Sequence, residues 1–88
     1  ALNQHYYSPM LRRGILQFDL NAYDLAEQDL LASVKLAPSQ IAFLTLAEIA
    51  QQKHNCPAEK RYLRQALSAS NKNRAAINQR LTALNSRC

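Results

Sequence analysis

The chain has 88 residues, of which 48% are hydrophobic and 19% are charged, with one glycine and three prolines. This length predicts one small domain, and the composition excludes collagen-like, glycine-serine linker and strongly disordered chains. No run of residues approaches the roughly 20 apolar residues that span a bilayer, so no transmembrane segment is predicted. The sequence as written shows no signal-peptide pattern, which leaves the compartment open.

The formal net charge of +5 is distributed unevenly along the chain. Residues 1–52 carry three basic and five acidic residues, whereas residues 53–88 carry eight basic residues and one acidic residue, Glu59. Such asymmetry indicates an acidic protein, an anionic lipid or a nucleic acid as partner for the second half, or an acidic neighbouring domain. Nucleic acid is the less favoured of these, because Tyr62 is the only aromatic residue among the basic ones.

The abundance of Ala, Leu, Gln, Lys and Arg, with apolar residues at a period of 3.6, predicts an all-α fold. Ser8 and Pro9 are typical of a helix start, so a first helix is expected over residues 9–20. A second helix is expected over residues 23–36, before Pro38, which cannot donate a backbone hydrogen bond.

Three further helices are predicted in the remaining chain. Ser39 caps a third helix over residues 40–53, whose apolar residues cover most of its circumference and therefore indicate packing on several sides. Pro57 opens a fourth helix that extends to about residue 70. The fifth helix, over residues 74–87, has a polar face and a single apolar stripe, which suits a terminal helix; the stripe comprises Ile77, Leu81, Leu84 and Cys88.

An internal repeat appears when the sequence is shifted along itself until Gly14 falls on Ala47. We call this displacement the repeat period. The same shift places further residues of the first half over residues of the second: Asn21 over His54, Tyr23 over Cys56, Leu30 over Leu63, and Ser33 over Ala66. Small residues thus recur where two helices must approach closely.

Six residues of the first unit have the types and the spacing that are typical of the tetratricopeptide repeat. The types are, in order, a small residue, an aromatic residue, Ala, a bulky apolar residue, a second small residue and Pro. These residues are Gly14, Tyr23, Ala26, Leu30, Ser33 and Pro38. The chain therefore resembles that family over about residues 8–71. In the second unit the match is looser, because Cys56 replaces the aromatic residue and Glu59 replaces the Ala.

This resemblance implies a superhelix of two helical hairpins and a C-terminal capping helix. The expected divisions are the tail of a preceding repeat over residues 1–7, repeat one over 8–38, repeat two over 39–71 and the cap over 72–88. The family's function, binding protein segments, is the expected function of this chain.

A second resemblance rests on the strings Tyr6-Tyr7-Ser8-Pro9 and Arg12-Arg13-Gly14 and on residues 29–40. These strings are similar to the C-terminal repeat tail of bacterial cell-envelope zinc metallopeptidases. The resemblance implies that the parent protein is a zinc metalloprotease whose His-Glu-x-x-His helix lies elsewhere. Since that motif does not occur in this chain, no enzymatic activity is expected of the chain itself.

No pattern in the sequence predicts a catalytic residue, a metal ligand or a cofactor. His5 and His54 are interpreted as exposed turn residues, because neither has further ligands at zinc-site spacing. There is no glycine-rich phosphate loop, and Ser39 and Ser70 are better explained as helix-end residues than as nucleophiles. Neither a cofactor nor a small-molecule substrate is therefore expected.

The two cysteines are a candidate disulfide pair. Cys56 opens the fourth helix and Cys88 follows the fifth, so an antiparallel packing of these similar helices would bring both to one end. A bond would close a loop of about 33 residues and add roughly 3–4 kcal/mol in the chain-entropy model. It would also indicate an oxidising compartment such as the periplasm, whereas two free thiols would favour the cytoplasm.

In tetratricopeptide repeats, the first helix of each repeat lines a concave groove. Carried over residue by residue, the predicted groove comprises Leu11, Ile15, Phe18, Asp19, Ile41, Leu44, Glu48 and Gln51. The Lys and Asn residues with which some relatives clamp acidic C-terminal peptides are not found at these positions, so that role is rejected. The apolar members of the set indicate binding to a protein segment, to another domain of the parent chain or to a second copy; alternatively, they belong to the core between repeats.

The predicted function is therefore a protein–protein interaction module that binds through an apolar groove. The alternative is a basic module that binds nucleic acid or an anionic surface through its C-terminal half. The basic residues that would form that patch are Lys60, Arg61, Arg64, Lys72, Arg74 and Arg80.

Overall fold

The computed structural model describes residues 9–88 and contains, within that range, five α-helices and no strand. The helices are α1 (Pro9–Asp19), α2 (Tyr23–Leu36), α3 (Gln40–Gln52), α4 (Cys56–Ala69) and α5 (Arg74–Arg87). The predicted all-α fold of five helices is confirmed, and every helix end lies within one residue of its predicted place. The predicted repeat tail over residues 1–7 and the helix cap at Ser8 lie outside the described residues.

The helices form two hairpins that lie side by side, followed by a single helix. Within the hairpins α1 packs on α2 and α3 packs on α4, while α3 also packs against α2 and α1. The last helix, α5, packs against α4. The loops between the first four helices have three residues each, and such short loops make consecutive helices antiparallel.

The turn between α1 and α2 is closed by a left-handed residue. Asn21 has φ 64°, and its N–H donates to the Phe18 carbonyl at 2.9 Å. The N–H of Ala22 donates to the Gln17 carbonyl at 2.8 Å. These two bonds make up a Schellman motif, which satisfies the last carbonyl groups of α1.

The turn between α3 and α4 repeats this motif one repeat period further along the chain. His54 has φ 57° and its N–H donates to the Gln51 carbonyl at 3.0 Å, while the N–H of Asn55 donates to the Ala50 carbonyl at 2.8 Å. The second helices of the two hairpins, α2 and α4, also begin and end one repeat period apart. The backbone of α1–α2 therefore recurs in α3–α4 with the period found in the sequence.

Small residues lie where the two helices of a hairpin cross. A Cβ atom at Gly14 would lie 2.8 Å from Cγ of the fully buried Leu30, so only glycine fits at this point without displacing its neighbour. The equivalent positions of the second hairpin hold Ala47 and Leu63, which are also fully buried. Close crossings of this kind are the packing that the repeat in the sequence predicted.

The core is centred on α3, the helix that packs against three others. Its buried residues lie on several sides of the helix: Ala42, Phe43, Leu46, Ala47, Ile49 and Ala50. This distribution agrees with the apolar circumference seen in the sequence. The Ser39 side chain accepts a hydrogen bond from the N–H of Ala42 at 3.3 Å, which caps the helix as expected.

The last helix, α5, shares its first backbone hydrogen bond with α3 but not its cap, because Asn73 is left-handed (φ 61°) and makes no side-chain cap hydrogen bond, whereas Ser39 is extended and does. The N–H of Ile77 donates to the Asn73 carbonyl at the start of α5, as the N–H of Phe43 donates to the Ser39 carbonyl at the start of α3. Ile77 is buried like Phe43. The buried residue one turn after the cap, Ile77 in α5 and Phe43 in α3, is therefore the feature that the two helices share.

Cys56 and Cys88 form a disulfide that joins the start of α4 to the end of α5. Their Cα atoms are 6.2 Å apart, within the usual range for such a bond. Cys56 is half-buried and Cys88 is exposed. The apolar stripe of α5 therefore ends at Leu84, whereas the sequence predicted that it would include Cys88. None of the helices formed by residues 9–88 is long and apolar enough to cross a membrane.

Candidate functional site

The predicted groove residues lie on α1 and α3, two helices that pack side by side. Ile15, Phe18 and Leu44 are half-buried and rest against the core, whereas Ile41 is exposed. We call these four residues the α1–α3 strip. Asp19 and Gln51 are exposed polar members of the predicted groove.

Leu11 does not belong to this surface, which corrects the sequence prediction. Its side chain is only 2% exposed and is part of the core. Leu11 lies one turn before Gly14, on the side of α1 that packs within the protein, because residues three apart share a helix face. It therefore contributes to stability and cannot contact an external ligand in this structure.

Phe18 is positioned by an aromatic contact at the end of α1. Its ring centroid is 5.8 Å from that of Tyr23, with the ring planes tilted by 52°. The Tyr23 hydroxyl donates to Oδ1 of Asn21 at 2.9 Å, which holds the tyrosine over the turn. This contact was not predicted; the only sequence signal was the pair of aromatic residues on either side of the turn.

A cluster of three charged side chains joins α3, α4 and α5. Nη1 of Arg80 lies 2.7 Å from Oε1 of Glu48, and Nη2 donates to Oε2 of Glu59 at 3.1 Å. The Glu59 side chain is only 4% exposed, so its carboxylate depends on this guanidinium for charge compensation. We call this group the Glu48–Arg80–Glu59 cluster.

The cluster changes the interpretation of two predicted surfaces. Arg80 is paired with two carboxylates and does not join the other cations as a binding residue, which corrects the predicted basic patch. Glu48 is half-exposed and shares the single positive charge of Arg80 with Glu59, so the polar end of the predicted groove keeps a net negative charge. In the sequence, Glu59 was recognised as a departure from the repeat pattern, but its partner was not identified.

The other residues of the predicted basic patch lie on α4, on α5 and in the loop between them. Arg61, Arg64, Lys72 and Arg74 are exposed and Lys60 is half-buried. The guanidinium of Arg61 lies 5.3 Å from the ring centroid of Tyr62. No ion pair joins these five residues to another part of the chain that the structure describes.

The acidic residues of α2 form ion pairs with neighbouring helices. Arg13 donates to both carboxylate oxygens of Asp29, at 2.7 and 2.9 Å, and this hydrogen bonding lowers the pKa of Asp29. The Lys53 ammonium donates to Asp24 at 2.6 Å and to Glu27 at 3.4 Å, and the hydrogen bond to Asp24 raises the pKa of Lys53. These ion pairs link α2 to α1 and to the end of α3.

A pocket of about 270 Å³ lies where the end of α3 meets the disulfide. It is lined by Gln51, His54, Asn55, Cys56, Glu59, Leu84 and Arg87. His54 is exposed there, as predicted, whereas His5 lies outside the described residues. No group of three His, Cys, Asp or Glu side chains that could hold a metal ion occurs between residues 9 and 88.

Comparison with known proteins gives no family assignment. The chain matched no protein-family model, no curated protein and no solved structure. Its function therefore has to be argued from the geometry of its own residues.

Proposed function

We propose that the domain is a tetratricopeptide-like module that binds a protein segment along the α1–α3 strip. The observation that carries this proposal is the repetition of a whole hairpin, including its left-handed turn residue and its close helix crossing. Helical repeats that stack in this way leave an extended surface, which such proteins use for binding.

The chemistry of the strip indicates the kind of segment that it would bind. Its side chains are aliphatic or aromatic and are half-buried to exposed, so water can be displaced from them by apolar side chains of a ligand. No cation forms part of the strip. The carboxylates of the predicted groove are Asp19, which is exposed, and Glu48, which shares Arg80 with Glu59. The ligand is therefore a segment with several apolar side chains on one side, such as an amphipathic helix.

The wider context of the module is also a proposal. The similarity of residues 29–40 to the tail of envelope zinc metallopeptidases supports a role as the C-terminal module of such an enzyme. The ligand would then be a protein handled by the peptidase or another domain of the parent. The Cys56–Cys88 bond supports a periplasmic location. Mass spectrometry of the native protein after alkylation without reductant should show no modified cysteine; two alkylated thiols would contradict this location.

Binding through the strip can be tested with peptides selected from a random library against the intact chain. Substitution Ile41→Asp should weaken binding of the selected peptides at least tenfold, because it places a charge in the apolar contact. Ile41 is exposed, so the fold should tolerate this change, as circular dichroism can verify. Leu31→Asp is the matched control, since Leu31 is exposed on α2, outside the strip. Equal affinities for the two variants would contradict the proposal.

Salt dependence separates this function from binding through the basic residues. Apolar binding should hardly change between about 50 and 200 mM salt, whereas binding to phosphate groups falls steeply over that range. A steep fall, together with loss of binding in an Arg61→Gln, Arg64→Gln variant, would favour the basic module instead. Both substitutions change exposed residues and should leave the fold intact.

A further inference from the structure

One side of the first hairpin carries four leucines that the described structure leaves uncovered. Leu16 of α1 and Leu20, which directly follows α1, are 58% and 69% exposed, and Leu25 and Leu36 of α2 are 54% and 71% exposed. The Arg13–Asp29 ion pair also joins α1 to α2. We call the four leucines and this ion pair the N-terminal face. Apolar side chains in such a group are rarely left in water.

The repeat shows what covers the corresponding surface of the second hairpin. The repeat period places Leu16 over Ile49, which is completely buried. Ala47 faces α4, as Gly14 faces α2, and Ile49 lies about 200° further around the helix. Ile49 therefore points away from α4, and the other helices that pack on α3 are α1 and α2. The first hairpin thus covers Ile49.

We propose that a third helical hairpin, in the polypeptide that precedes Pro9, packs on the N-terminal face as α1–α2 packs on α3. This inference rests on the repeat architecture of the proposed function. The proposed interface would repeat the one that the molecule already contains between α1–α2 and α3. Residues at the same repeat positions would take part in both interfaces. The covering hairpin presents aliphatic and small side chains to the leucines.

The opposite end of the domain argues against a second copy as the occupant. A copy that extended the stack would have to place its α5 on the N-terminal face. The side of α5 that faces away from α4 is exposed and polar, with Asn78, Gln79 and Asn85. That side also exposes Ala75 and Ala83, so it offers the leucines of the N-terminal face only methyl groups, whereas a hairpin of the α1–α2 kind offers larger aliphatic side chains.

Thiol labelling tests this interface. Single substitutions Leu16→Cys and Leu25→Cys would be made both in residues 1–88 and in the full polypeptide that carries them, with Arg64→Cys as the exposed control. In residues 1–88, all three introduced thiols should react with a maleimide at similar rates without reductant. In the full polypeptide, labelling at positions 16 and 25 should slow at least tenfold, while labelling of the control should not change.

Each other outcome overturns the inference. Equal labelling of positions 16 and 25 in the two proteins would show that nothing covers the face, and a polypeptide with no helical hairpin ahead of Pro9 would exclude the occupant. Protection in residues 1–88 that grows with protein concentration would assign the face to a second copy. Peptide binding by the Ile41→Asp variant, measured on the same proteins, tests the proposed function separately, since Ile41 is not part of the N-terminal face.

Discussion

The two hairpins have the same backbone but different surroundings, and their side chains differ accordingly. The first helix of the second hairpin packs against three helices, and its residues Leu46 and Ile49 are completely buried. At the equivalent positions of the first hairpin lie Arg13 and Leu16, both exposed. Turns and helix crossings therefore set the period of the backbone, while the number of neighbours sets which side chains are buried.

The position occupied by Leu46 shows this difference most clearly. Arg13 lies one repeat period before it, and Arg80 follows Ile77 in α5 as Leu46 follows Phe43 in α3. The three helices therefore carry Arg, Leu and Arg at corresponding places. Each arginine pairs with a carboxylate of a second helix, on α2 or on α4. Ion pairs thus occupy the two ends of the described stack, and an aliphatic side chain occupies its middle.

The largest difference between the hairpins is expected from truncating Ile49 and Leu16, which occupy equivalent positions. Ile49→Ala removes fully buried methylene groups and should lower the free energy of unfolding by about 2–5 kcal/mol. Leu16→Ala should change it by no more than about 0.5 kcal/mol in residues 1–88, because Leu16 is exposed. Urea denaturation measures both values, and a comparable loss for the two variants would refute the contrast.

Removing Arg80 should lower the free energy of unfolding more than removing Arg13, so the two ends of the stack should differ in their response. Arg80→Met leaves the carboxylate of Glu59 buried without its cation and should lower the free energy of unfolding by about 3 kcal/mol. Arg13→Met should have a clearly smaller effect, because Arg13 is exposed and its pair with Asp29 is screened by water. Adding Glu59→Leu to Arg80→Met should restore much of the loss; no recovery in the double variant would argue against an unpaired charge as the cause.

Exchanging Gly and Ala at the two close helix crossings should lower stability in both hairpins, although the two substitutions are opposite. Gly14→Ala forces a Cβ atom against Leu30, and this overpacking should outweigh the gain in helix propensity of about 1 kcal/mol. Ala47→Gly loses that propensity and a buried methyl group, so it should cost slightly more than about 1 kcal/mol. Thermal unfolding of both variants is the measurement, and a stabilised Gly14→Ala protein would show that Leu30 yields.

The smallest expected effect is an acid dependence that comes from the Arg13–Asp29 pair of the first hairpin. The hydrogen bonds from Arg13 lower the pKa of Asp29 below its ordinary value of 3.8, so the pair stabilises the protein above that pH. This contribution is lost as the pH falls from about 4 through the lowered pKa of the folded state. The second hairpin has Tyr62 at the position equivalent to Asp29, so it has no counterpart of this ion pair.

Substitution isolates this acid dependence. The free energy of unfolding, measured in urea between pH 5 and pH 2, should fall less steeply for Asp29→Asn than for the unsubstituted protein. Asp19→Asn, which changes an exposed carboxylate outside any described ion pair, is the control. Identical slopes for Asp29→Asn and the unsubstituted protein would show that the Arg13–Asp29 pair is not the source of the acid dependence.

The helices could be predicted because their signals are local. Ser39 and Pro57 mark helix starts, and apolar residues at helical spacing mark the buried stripes. The repeat period was visible for the same reason, since small residues such as Gly14 and Ala47 recur at the crossings.

The errors arose where burial depends on a neighbouring helix. Periodicity shows that Leu11 belongs to an apolar stripe, but it does not show whether that stripe faces a ligand or the core. A charge count places Arg80 on the surface, and only the packing of α5 on α4 reveals that it compensates Glu59. The exposed leucines of the N-terminal face went unnoticed because, along the chain, they resemble buried ones.

The bond between Cys56 and Cys88 determines how the domain would respond to a pulling force. Tension applied between the first helix and the C-terminus would pass from the end of α3 directly across the two sulfur atoms to the last residue. Helices α4 and α5 lie inside the closed loop and would bear none of that load. Reduction of the bond would release roughly 110 Å of additional extension, from 32 residues at about 3.4 Å each.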